Sequence, residues 1–71
     1  MENCNYNKTR LLAEILSTLW RLERGVYAED AKKAGHPLCG KLYEDLAKDL
    51  RKYKEKLIAA IEGLSKEGKF K

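Results

Sequence analysis

The sequence predicts an all-α protein, an antiparallel two-helix hairpin that dimerises into a four-helix bundle. Three observations lead there. Apolar residues recur every three or four positions through two long stretches, with no competing two-residue alternation. A Gly-His-Pro-Leu-Cys-Gly interruption at residues 35–40 separates those stretches. The chain has only 71 residues, and scaffolds this short commonly need a disulfide, a metal or a partner chain to be stable.

The first stretch predicts a helix over about residues 8–34, entered near Asn7 or Thr9, both good capping types. Leu12, Ile15, Leu19, Leu22 and Val26 fall on one helical row, with Leu16, Trp20 and Tyr27 on a second row beside it. Two adjacent rows make an apolar face wider than a single coiled-coil seam requires. Gly25 lies inside this stretch and costs a helix interior about 1 kcal/mol relative to Ala, so a kink or a close helix contact is expected there.

Residues 35–40 read as the turn. Gly35 suits a helix C-terminus, Pro37 follows where a helix cannot continue, and Gly40 frees the entry to the next one. A connection of about six residues sets the two helices side by side.

The second helix is expected over about residues 41–63, followed by a loose tail at 64–71. Tyr43, Leu46, Leu50, Tyr53, Leu57, Ala60 and Leu64 step by three and four without a break, and Leu42, Ala47, Ile58 and Ile61 widen the stripe. One hairpin would leave about half of each wide face in water, and a second copy would cover it. The seam and core are therefore assigned to Leu12, Ile15, Leu19, Leu22 and Val26 of the first helix. From the second they take Tyr43, Leu46, Leu50, Tyr53, Leu57 and Ile61.

Charged residues make up 37% of the chain and the net charge is +4. Gln is absent and the three Asn all precede residue 8, a Lys/Glu-rich, amide-poor usage found in thermophiles. Basic residues concentrate in "KDLRKYKEK", where Lys48, Arg51, Lys52 and Lys56 could form a nucleic-acid-binding face. The plainer reading is a solvated surface with Glu44/Lys48 and Arg51/Glu55 pairs at helical spacing. Leu11–Leu22 is too short and too interrupted by charge to cross a bilayer, and no secretory leader is seen, so a cytoplasmic location is expected. The Asn7-Lys8-Thr9 acceptor pattern is then read as helix-start material rather than a glycosylation site.

Cys4, His36 and Cys39 are the only thiol and imidazole groups. In a hairpin Cys4 lies a helix length from the turn, roughly 35 Å at the usual rise, whereas a disulfide needs Cα atoms within about 7 Å. In an antiparallel dimer Cys4 could approach Cys39 of the partner, while the plainer reading is a solvated His36 and a half-buried Cys39 closing the turn. A zinc site from these three residues within one chain lacks a fourth ligand, which leaves a metal-binding dimer through Cys4, His36 and Cys39 as an alternative. No Gly-rich phosphate loop, nucleophile elbow or zinc-protease motif occurs. The carboxylates Glu14, Glu23, Asp45 and Asp49 lie at helical spacing from basic residues or beside them, with no pocket indicated that would tune them. The chain is expected to be non-enzymatic and cofactor-free, with itself, and after that another protein, as its partner.

From Val26 to Ile58 the chain resembles a helical hairpin of the ferritin-like superfamily, most nearly the rubrerythrins. The matching residues are Tyr27, Ala31, Lys32, Lys33 and Gly35, then Tyr43, Glu44 and Ala47. The resemblance implies a di-iron site built from a Glu and a Glu-x-x-His. Carried across without gaps, those ligands fall on Ser17, Leu50 and Tyr53, none of which serves. Iron oxidation and peroxidase activity are therefore not expected, and the positions read as core. At about half the length of a four-helix ferritin-like domain, the chain would again need a second copy.

Overall fold

The computed structural model describes residues 1–71 as three α-helices with no strand: α1 (Asn3–Glu23), α2 (Val26–Lys33) and α3 (Pro37–Lys66). The first predicted helix, 8–34, is thus two helices, and it starts five residues earlier. The physical cause of the split is Gly25. At φ 78° it sits in the left-handed region, donates its N–H to Leu22 at 3.1 Å, and its carbonyl accepts the Glu29 N–H at 3.0 Å. One glycine therefore ends α1 and starts α2, a conformation disfavoured for residues with a Cβ.

The turn is also shorter than the expected 35–40. Gly35 takes φ 75°, and two bonds close the helix end: Gly35 N–H to Lys32 carbonyl at 3.1 Å and His36 N–H to Ala31 carbonyl at 2.8 Å. This paired pattern satisfies carbonyls that a helix terminus otherwise leaves open. α3 begins at once, with Pro37 in its first turn, where a missing N–H costs nothing. Leu38, Cys39 and Gly40 are consequently helical.

The tail is not loose. α3 continues through Lys66, and Gly68 repeats the left-handed ending. Beyond it the chain is tied to α1. Glu2 donates its N–H to the Lys71 carbonyl at 2.6 Å, and the Asn5 amide donates to the carbonyls of Lys69 and Lys71 at 3.0 and 3.1 Å. Asn5 is 2% exposed, the one buried polar residue. This clasp is why α1 starts before Asn7. Neither Asn7 nor Thr9 caps it, and Thr9 instead donates back to the Asn5 carbonyl from inside the helix at 3.0 Å.

α3 packs against both other helices. Tyr43 meets Tyr27 ring to ring at 5.6 Å and Arg51 approaches Glu23 at 3.7 Å. The buried apolar residues are only Leu19, Leu22, Ala31 and Ala47, with Ile15, Tyr43 and Leu50 partly buried against the Leu19/Leu22/Ala47 cluster. The molecule is a rod, 51 × 16 × 15 Å. A rod two helices thick has almost no interior, and that leaves apolar side chains at its surface.

Candidate functional site

The turn is the first place to look for chemistry, since it carries His36 and Cys39. It borders an open basin of about 560 Å³ lined by Glu29, Lys32, His36, Lys41 and Glu44 among others. His36 works here through its backbone, whose carbonyl accepts the N–H groups of Cys39 at 3.1 Å and Gly40 at 3.3 Å. Of the charged groups lining it, Glu29 pairs with Lys33 at 3.3 Å and Lys41 with Asp45 at 3.6 Å, each along its own helix. Both ion pairs are exposed, where such pairs contribute little. No cluster of three or more His, Cys, Asp or Glu side chains is arranged to hold a metal ion. Cys4 is exposed near the clasp and hydrogen-bonds Lys8 Nζ at 2.7 Å, at the opposite end of the rod from Cys39.

The basic residues form no single stripe. Arg51 turns to Glu23 of α1 rather than to the expected Glu55, and Glu55 pairs instead with Lys54 at 3.4 Å. Glu44 and Lys48 form no ion pair. Lys56 lies over the Tyr53 ring at 5.0 Å, while Lys48 and Lys52 project freely from the back of α3. At about 100° per residue the four cations fan around α3 with Glu44, Asp45 and Glu55 among them. Arg10 is held by two neighbours on its own helix. There a hydrogen bond with Tyr6, then the hydrogen bond and charge of Glu14, raise the guanidinium above its ordinary value.

The feature that stands out is apolar. Of the residues assigned to the seam, Leu19 and Leu22 are buried, and Leu12, Ile15, Tyr43, Leu50, Leu57 and Ile61 are partly so. Val26, Leu46 and Tyr53 remain exposed. Tyr53 in particular is 53% exposed in the single chain. Leu42, at 60%, joins Leu46 and Tyr53 on the same side of α3, because steps of four and seven residues return to one helical face. Sequence periodicity placed these residues in one broad stripe but could not say which flank of it faced α1. The direction of α3 relative to α1 settles that, and it is a tertiary property.

A second, smaller patch lies on α1, where Leu16 is exposed and Trp20 is 62% exposed under the Arg24 guanidinium at 4.5 Å. Helical phase puts this patch across the rod from the α3 stripe. No helix is long and apolar enough to cross a membrane. No family model, curated protein or solved structure matches the chain. The reading of its function therefore rests on this surface.

Proposed function

We infer that the protein is a non-enzymatic interaction module: an antiparallel helical hairpin that pairs with a second copy of itself into a four-helix bundle. The observation that carries this is surface area. A folded monomer of 8.2 kDa exposes about 4,500 Å² on the usual mass scaling. This chain exposes 5503 Å², roughly 1,000 Å² more, and a standard interface covers about 800 Å² per partner. The excess is partly apolar and contiguous along α3, so removing it from water is favourable. A core of two leucines and two alanines gives a 71-residue chain little else to offset its ordering entropy.

The rubrerythrin-like hairpin fits the same reading. The positions where iron ligands would fall carry Ser17, a half-buried Leu50 and the exposed Tyr53. They offer packing surface and no metal-binding chemistry.

Native mass spectrometry and sedimentation of the full chain test the proposal. Two chains with no added mass are expected at micromolar concentration, and replacing Leu50 with Asp should remove both the dimer and most of the helicity. A wild-type chain that stays monomeric and fully helical at that concentration overturns the reading.

A further inference from the structure

Resting on that self-association, we propose which helix makes the contact: α3 pairs with the α3 of a second copy, running in the opposite direction, about a two-fold axis beside Tyr53. The placement follows from the stripe itself. Leu42, Leu46, Tyr53, Ala60 and Leu64 lie within one quarter-turn of helical phase at about 100° per residue. All are uncovered or only partly covered in the single chain. The stripe extends from Leu42 to Leu64, about 33 Å at 1.5 Å per residue, long enough to form the central contact of a rod-shaped dimer.

The stripe is self-complementary about Tyr53. In the opposed arrangement Leu42 meets the partner's Leu64, Leu46 meets the partner's Ala60, and Tyr53 meets the partner's Tyr53. Large faces small at Leu46/Ala60, which lets helices approach and interdigitate. Shifting the axis by one helical turn carries Leu42 and Leu46, or in the other direction Leu64, past the end of the partner's α3 and breaks the Leu46/Ala60 match.

Charge gives a second, independent argument. Asp49 and Lys56 flank the stripe on the same side, seven residues apart, and both are exposed. Three of the four carboxylates singled out in the sequence are paired within the chain: Glu14 with Arg10, Glu23 with Arg51, and Asp45 with Lys41. Neither Asp49 nor Lys56 is in an ion pair, and Lys56 lies over the Tyr53 ring. An antiparallel contact centred beside Tyr53 brings Asp49 of each copy opposite the partner's Lys56. A symmetric interface then contains this pair twice, as an isologous contact requires. A parallel contact would instead carry this flank of the two copies to opposite sides of the seam, so that Asp49 and Lys56 could not meet.

The test uses the full-length protein with Cys4→Ser and Cys39→Ser as background. Under mild oxidation, Tyr53→Cys should give a disulfide-linked dimer in high yield, because a residue on the axis faces its own copy. Trp20→Cys, across the rod, should not. Reversing one charge, Asp49→Lys or Lys56→Asp, should weaken dimerisation several-fold at low salt, and the double reversal should restore it. The charge variants keep their side chains exposed in the single chain, so their folding is not at risk. If the wild type is dimeric but Tyr53→Cys fails to link and the reversals have no effect, the α3 seam is wrong while self-association stands. If the wild type is monomeric, both fall. Efficient linking through Trp20→Cys would assign the contact to the α1 patch and overturn the α3 seam.

Discussion

Leu46 separates a property of the chain from a property of its assembly. It is 41% exposed in the single chain and lies outside the Leu19/Leu22/Ala47 cluster. Truncating it to Ala should scarcely disturb the protomer, since Ala is the best helix former. Pairing, however, can still bury somewhat under half of this side chain. At the usual value for burying a whole leucine, that is about 1 kcal/mol. Two-fold symmetry counts the loss twice, giving about 2 kcal/mol, or roughly a 30-fold weaker dimer. Sedimentation equilibrium over a dilution series measures the constant, and circular dichroism at high concentration checks that helicity is kept. Leu19→Ala is the contrast: at 3% exposed it should cost about 2–5 kcal/mol of core stability and lower helicity and dimer together. A Leu46→Ala protein with an unchanged dimer constant would show that this part of α3 stays in water, and the area argument would then need another surface.

Other consequences follow from local geometry. Asn5→Ala removes two donations to the C-terminal carbonyls and should cost about 1–3 kcal/mol, seen as a lower urea midpoint; an unchanged midpoint would mean the clasp is not formed in solution. Gly25→Ala meets no steric obstacle, since nothing lies within 4 Å of the added carbon. Its cost is therefore the backbone alone, about 1–2 kcal/mol for a left-handed residue, and a higher melting temperature would contradict the break between α1 and α2. Because carboxylates interrupt the cations of α3, RNA or DNA should show no measurable affinity at either 50 or 200 mM salt. Tight binding at the lower salt that collapses at the higher would revive a phosphate-binding role.

The helical class was legible because its signal is local: a three–four repeat is written residue by residue and depends on no other part of the chain. Punctuation was legible only in part. Gly35 followed by Pro37 marked a helix end correctly, but Pro37 reads equally as a stop for one helix and as the first turn of the next. The structure takes the second option. Gly25 carried a propensity cost that was visible, but whether a glycine bends a helix or ends it depends on whether its φ turns positive. Here it does, at 78°. The Asn5 clasp left no local trace at all. It joins residues more than sixty positions apart, and an Asn near a helix start reads naturally as a cap. The same limit explains Arg51, whose partner Glu23 lies on another helix while Glu55 offered itself at ideal local spacing.

The candidate surface was harder to read than the core because, under the proposed pairing, one stripe would serve two purposes. α3 needs apolar residues toward α1 and α2, and self-pairing would need them on the adjoining flank. Together they form one wide face whose sequence pattern is continuous. Only the course of α3 along the other helices divides it, leaving Tyr43 and Leu50 inward and Leu42, Leu46 and Tyr53 outward. That division has an energetic consequence. If the protein pairs as proposed, a protomer with so few buried side chains would owe much of its stability to its partner, and its melting temperature should rise with protein concentration. A hundredfold increase over the dissociation constant is worth about 2.7 kcal/mol. A helical rod whose melting is indifferent to concentration would have to be stable on Leu19, Leu22, Ala31 and Ala47 alone. Single cores of such small domains rarely supply more than about 3–5 kcal/mol, and this one is smaller than most.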